Sequence, residues 1–146
     1  MRSQVQQKNS LRINTDLTEL TQVLSWFESF YQPDIPTEVW LQCQTALAEG
    51  VTNAIRHAHK NQSLETPIEL EVHHAASILE IRIWDCGPPF DFDAKLAQIA
   101  NTVDTHASGG RGLQILQSVA DYLSYSRTPD QRNCLLIVKQ YKGTLA

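Results

Sequence analysis

Glu49, Asn53 and His57 stand at steps of four residues within the stretch 46–60, with Arg56 beside them. On an α-helix each such step advances only about 40°, so these side chains share one stripe. A second group, Asp85-Cys86-Gly87-Pro88-Pro89-Phe90-Asp91, closes a strand-like run. A third, Gly109-Gly110-Arg111-Gly112-Leu113, stands at the mouth of a predicted helix. An Asn oxygen can coordinate Mg, which takes oxygen ligands and shares them with phosphates. A neighbouring carboxylate can accept a proton from a hydroxyl or position a water. Glycines let phosphates approach the backbone, and the free N–H groups of a helix start attract anions. Order and spacing together describe a Mg-nucleotide pocket.

Each piece also has a plainer reading. A Glu–Asn pair on a helix face is by itself a solvated face. Asp85 has the parity of Leu79, Ile81 and Ile83, so it points to the covered side of its strand, where a carboxylate needs a donor. That donor is either a backbone amide of a turn or the exocyclic amine of adenine, and an acid in this place favours adenine over guanine. Gly110 and Gly112 also suit an ordinary turn into a helix. The run is neither a Walker loop, which needs Gly-Lys-Ser/Thr, nor a dinucleotide fingerprint placed after a strand. His59, His73, His74 and His106 show no metal spacing beside a carboxylate and read as surface histidines. No GxSxG elbow supports a nucleophile triad.

The elements that would carry these residues follow from periodicity. Residues 10–14 read as a first strand. Asp16-Leu17-Thr18-Glu19 has capping-box spacing and predicts a helix running to about Tyr31, where Pro33 and Pro36 break it. Pro36 suits the first turn of a second helix, whose apolar stripe is Trp40, Cys43, Leu47, Val51, Ala54 and Ala58. Residues 68–73 and 79–84 alternate apolar and polar, which predicts an antiparallel hairpin with one covered face. A short helix and a polar loop follow over 91–105, then a helix over 111–122 and strands over 123–127 and 134–141. The expected architecture is an α+β two-layer sandwich: a mixed, mainly antiparallel sheet covered on one face by helices.

Composition narrows the function. The 146 residues are the size of one domain, and the net charge of −4 comes without a basic cluster, which disfavours direct nucleic-acid binding. No apolar run approaches the roughly 20 residues of a membrane span, and the start lacks a signal-peptide core, so a cytoplasmic protein is the expectation. Three separated cysteines without CxxC spacing argue against a disulfide framework and a zinc site.

The motifs carry a family resemblance. Glu49-Gly50-Val51-Thr52-Asn53-Ala54-Ile55-Arg56-His57 resembles the N box of the GHKL ATPase superfamily, whose nucleotide site is the Bergerat fold. Asp85-Cys86-Gly87 resembles its G1 box and Gly110-Arg111-Gly112-Leu113 its G2 box. The nearest subgroup is the bacterial anti-sigma-factor serine/threonine kinases, whose G1 box often reads as Asp85 to Asp91 reads here. The wider superfamily more often has glycine where Pro89 stands, and some relatives carry a basic residue before the first G2 glycine, where this chain has Ser108 and Gly109.

The resemblance implies one histidine-kinase-like ATPase domain over residues 1–146 that uses ATP and Mg. Asn53 would hold Mg, and Glu49 would be the general base toward a serine or threonine. Asp85 would bind adenine, with Gly87 shaping that wall. Gly110, Gly112 and the Leu113 amide would cradle phosphates, with Arg56, His57 and Arg111 lining the site and residues 91–108 forming a lid. It further implies phosphorylation of an anti-anti-sigma (STAS-domain) partner and sequestration of a sigma factor, in a family whose members are often homodimers. The alternative is a nucleotide-gated protein-binding module without kinase activity.

Overall fold

The computed structural model describes residues 7–100 and 111–142. Among these residues five strands form one sheet: β1 (Gln7–Ile13), β2 (Ile68–Ala75), β3 (Ile78–Asp85), β4 (Tyr122–Arg127) and β5 (Asn133–Gln140), in the order β1-β2-β3-β5-β4. The described residues also form four α-helices: α1 (Leu20–Glu28), α2 (Thr37–Asn53), α3 (Phe92–Ala100) and α4 (Arg111–Val119). Among the described residues every strand pairing is antiparallel, so the sheet expected from the sequence to be mixed and mainly antiparallel has no parallel pair there.

Alternation decides which sheet face is covered. In β2 and β3 the buried positions are Ile68, Leu70, Val72 and His74, and Leu79, Ile81, Ile83 and Asp85. The register sets Leu70 opposite Ile83 and Val72 opposite Ile81, so one apolar sheet face meets the helices. The other face carries Glu69, Glu71, Arg82 and Trp84, with Arg132 bridging Glu69 at 2.9 Å. Ala76 and Ser77 form the two-residue hairpin turn, both at positive φ, the twist that matches a two-stranded ribbon.

The helix α2 crosses the covered face through Trp40, Cys43, Leu47 and Val51, all buried. It can lie close to the sheet because Gly50 has no side chain: a Cβ there would stand 2.5 Å from Ile83 Cδ1. Phe27 of α1 stacks on Trp40 with ring centroids 4.1 Å apart, which ties α1 to α2. The start of α1 differs from a reciprocal capping box. Asp16 Oδ1 accepts from Thr18 N at 3.0 Å, while Glu19 reaches past Asp16 to the Asn14 amide at 3.1 Å. The first turn is a 3-10 helix, Leu17–Glu19, and α1 ends at Glu28, short of Tyr31.

The end of α2 departs most from periodicity. Residues Ala54–Ala58 form a π-helix, closed by a bond from His59 N to Ala54 O of 2.9 Å. The wider turn rotates the residues at its end. Ala58, expected on the buried stripe, lines a cleft instead, and His59 turns inward until it is 1 % exposed. Thus His59 is not a surface histidine. Neither is His74, which shares the parity of Val72 and is buried against the Tyr141 hydroxyl.

Candidate functional site

Between the end of α2, the loop after β3 and the start of α4 lie two adjoining depressions. One, of about 340 Å³, is lined by Asn53, His57, Ala58, Lys60, Pro88, Pro89, Phe90, Lys95, Leu113 and Tyr125. The other is lined by Glu49, Thr52, Asn53, Arg56, His57, Arg111, Gly112, Leu113 and Ile115. Asn53, His57 and Leu113 belong to both, so the two are halves of one cleft. Residues of the helix stripe and Arg111, Gly112 and Leu113 of the second glycine box therefore line the same cleft. Gly110 lies outside the described residues, as does the part of the expected lid beyond Ala100.

The halves differ in chemistry. The first has aromatic, proline and alanine walls, suited to a flat base, with Lys60 and Lys95 on its border. The second is polar. Among the described residues neither the Glu49 carboxylate nor the Asn53 amide has a hydrogen-bond or ion-pair partner. An uncommitted amide oxygen and a carboxylate one turn apart fit a divalent cation and a proton acceptor. Arg56 and Arg111 flank them, both exposed. Four cations thus border a cleft in a chain of net charge −4, a local field suited to a polyphosphate. Gly112 is packed against Glu49, and a Cβ on it would meet Glu49 Oε2 at 2.7 Å.

Asp85 sits at the end of β3, 2 % exposed, beneath the base-sized half. Its Oδ1 accepts from Gly87 N at 2.8 Å and from Asn133 Nδ2 at 2.9 Å, and its Oδ2 accepts from the Tyr125 hydroxyl at 2.7 Å. The turn-capping reading of Asp85 therefore holds, through the Gly87 amide. The pattern leaves room for one more donor, since an ionised carboxylate has about four acceptor sites. Burial, then the hydrogen bond to Asp85, raises the Tyr125 pKa, so that hydroxyl keeps its proton.

The loop after β3 is held at each polar backbone atom from Cys86 N to Pro88 O. Cys86 N donates to His59 Nε2 at 2.7 Å, and Cys86 O accepts from Gln62 at 2.9 Å. Gly87 O accepts from Arg127 at 2.8 Å and from Asn133 at 3.1 Å, and Pro88 O from Asn133 at 3.2 Å. At Gly87 a Cβ would stand 2.8 Å from the Ala58 carbonyl oxygen, so the loop touches the π-turn directly. His59 itself is fixed from both sides. Thr15 Oγ1 donates to Thr66 O at 2.6 Å, so its oxygen accepts from His59 Nδ1–H at 2.7 Å, which leaves Nε2 as the acceptor for Cys86. Burial lowers the His59 pKa, against the opposing charge of Asp85, and keeps the ring neutral.

The sequence reading missed Tyr125, Asn133, His59, Lys60 and Lys95. Asn133 had a signal: it is a polar residue with the parity of Leu135 and Ile137, and so had to face the covered side with a partner. All three cysteines are free. Burial raises the thiol pKa of Cys86, and that of Cys43 to about 12, so both stay protonated thiols near neutral pH. Among the described residues no helix is long and apolar enough to cross a membrane, and no cluster of three His, Cys, Asp or Glu side chains offers a metal site.

Residues 13–139 match the histidine kinase-like ATPase domain, and the chain belongs to that family. It is similar to the serine-protein kinase RsbW of Bacillus pumilus, 36 % identical over 84 residues, covering 52 % of this chain and 51 % of that protein. With RsbW of Bacillus subtilis it is 34 % identical over 82 residues, covering 52 % and 50 %. With that of Staphylococcus aureus it is 28 % identical over 89 residues, covering 58 % and 56 %. The chain spans about half the length of the curated relatives it matches.

Proposed function

We propose that this chain is an ATP-dependent protein-serine/threonine kinase and anti-sigma regulator. It phosphorylates a STAS-domain anti-anti-sigma partner and sequesters a sigma factor. The observation that carries the reading is the placement of Glu49 and Asn53. They stand one turn apart, with no hydrogen-bond or ion-pair partner among the described residues, in the polar half of a cleft whose other half suits a base. A module that only binds nucleotide has no use for that acid. The similarity to serine-protein kinases supports the same reading.

In this reading the base enters the half walled by Pro88, Phe90 and Tyr125, and Asp85 accepts from its exocyclic amine. The polyphosphate lies toward Gly112 and the Leu113 amide at the start of α4, with Arg56, His57 and Arg111 around it. Asn53 would hold Mg through Oδ1, and the bound ion would neutralise charge on the phosphate oxygens. Glu49 accepts the proton of the partner's serine or threonine hydroxyl as that oxygen bonds to the γ-phosphorus. The bond from the γ-phosphorus to its bridging oxygen breaks, and ADP leaves. Phosphoryl transfer asks mainly for such positioning and charge stabilisation.

The test is transfer of γ-32P from ATP, with Mg, to STAS-domain proteins of the source cell, alongside capture of bound proteins in the ATP and ADP states. Phosphorylation of a STAS protein, with a sigma factor retained on the ATP form, is the expected result. Nucleotide-dependent capture without transfer would instead establish a nucleotide-gated binding module.

A further inference from the structure

The cleft is lined by Tyr125, whereas Asp85 lies beneath it and is 2 % exposed. A ligand base therefore meets the tyrosine at least as directly as the acid. The tyrosine has one proton, and the structure shows where it goes: the hydroxyl donates to Asp85 Oδ2 at 2.7 Å. The other oxygen of Asp85 is taken by Gly87 N and Asn133 Nδ2, so the carboxylate cannot swing away from that bond without losing two others. The raised Tyr125 pKa agrees with a proton held in place. A phenol whose proton is committed has only lone pairs left to offer.

We propose that Tyr125 is the specificity-determining partner of Asp85. Together they present an acceptor-only surface that selects a purine carrying an exocyclic amine at C6 and rejects one carrying a keto oxygen there. The proposal rests on the nucleotide reading above and adds which residue sets the choice of base. An amine N–H aimed at this surface finds Asp85 Oδ2 or the tyrosine oxygen. A keto oxygen finds lone pairs against lone pairs. Tyr125 is also held sideways, with Phe92 at 5.3 Å and Phe90 edge-on at 6.1 Å between ring centroids, so the hydroxyl has little freedom to turn to another partner. Arg127 and Asn133, bonded to each other at 3.2 Å, fix the strand beside it.

The test compares ATP, GTP and purine riboside triphosphate, which lacks the C6 amine but keeps the ring and phosphates, on the full chain by calorimetry. In the unmodified protein ATP is expected to bind about tenfold more tightly than purine riboside triphosphate, and GTP more weakly still. Tyr125→Phe is expected to weaken ATP about tenfold, to leave purine riboside triphosphate unchanged and to narrow the ATP-to-GTP ratio. Equal losses for ATP and the purine analogue would show that Tyr125 is only a wall and overturn the proposal. An unchanged ATP affinity would overturn it too. Should Tyr125→Phe not fold, the unmodified protein with 13Cζ-tyrosine serves, its Tyr125 signal assigned by eliminating Tyr31, Tyr122 and Tyr141. That signal is expected to shift with ATP and not with the purine analogue, and the same response to both would overturn the proposal. Failure of the unmodified protein to bind any of the three would instead overturn the nucleotide reading beneath it.

Discussion

The carboxylate of Glu49 lies against the backbone of Gly112: a Cβ added there would meet Glu49 Oε2 at 2.7 Å. The acid on α2 is thus positioned by the absence of a side chain on α4. The obstructing atom is the end of a flexible side chain, so Gly112→Ala displaces Glu49 rather than the fold. Alanine in a helix is also favoured over glycine by about 1 kcal/mol. The variant is expected to melt at or above the temperature of the unmodified protein. Its phosphoryl transfer should fall, by up to about a hundredfold if the base loses its geometry. Differential scanning fluorimetry with a γ-32P transfer assay checks both arms. Transfer at the original rate would show that Glu49 does not need that position.

Glu49 and Asn53 share a wall but have different tasks in the proposed reaction. Glu49→Ala is expected to keep most ATP affinity and lose transfer. Asn53→Ala is expected to lose the Mg-dependent part of binding as well. Calorimetry with and without Mg, beside the transfer assay, separates them. Glu49→Ala that still phosphorylates the partner at the normal rate would place the base elsewhere.

Asp85 faces three donors in the structure: Gly87 N, Asn133 Nδ2 and the Tyr125 hydroxyl. In Asp85→Asn only one side-chain oxygen remains, so at least one of these donors meets an NH2 group. A charge-assisted hydrogen bond contributes about 1.5–3 kcal/mol, and a buried unpaired donor costs about 1–3 kcal/mol. The variant is expected to melt earlier and to bind ATP ten- to a hundredfold more weakly. Retained affinity for ATP in a folded Asp85→Asn protein would remove the acid from base recognition.

The sheet and the helix stripe were legible because each is a matter of parity. Alternation of Ile68, Leu70 and Val72 against Glu69, Glu71 and His73 is enough to name the covered face. The same count puts Asp85 on that face. The turn between β2 and β3 carried no Asn-Gly signal, yet Ala76 and Ser77 form it, because the pairing of the flanking strands outweighs their reluctance to adopt positive φ. The π-turn was not legible. It exists because His59 gains Thr15 and Cys86 as partners, contacts with residues 44 and 27 positions away in sequence that no local period contains. Ala58 was misplaced for that reason. Tyr125 was hidden differently: its strand is short and its partners are on β3 and β5, so its role emerges only from the register.

His59 makes the loop after β3 sensitive to pH. Its ring is neutral, with Nδ1–H turned to Thr15 and Nε2 accepting from Cys86 N. Protonation would set N–H against N–H at the residue next to Asp85. Burial lowers the His59 pKa below its ordinary 6.5, with the facing Asp85 opposing the shift, and burial lowers His74 in the same direction, opposed by Asp34. The unfolded chain therefore binds more protons than the folded one between the lowered values and 6.5. Stability rises with pH across that window. It is complete above about pH 6.5 and is lost as pH falls toward the folded-state values. Urea midpoints are thus expected to drop from pH 7.5 to 5.5, in a range where ordinary carboxylates do not titrate. His59→Gln, whose amide oxygen can still accept from Cys86 N, should flatten part of that drop and leave the part due to His74. ATP affinity should fall over the same window in the unmodified protein and fall less in His59→Gln, the nucleotide's own titration being common to both. Parallel pH profiles for the two proteins, in stability and in binding, would show that the His59–Cys86 bond does not govern the loop.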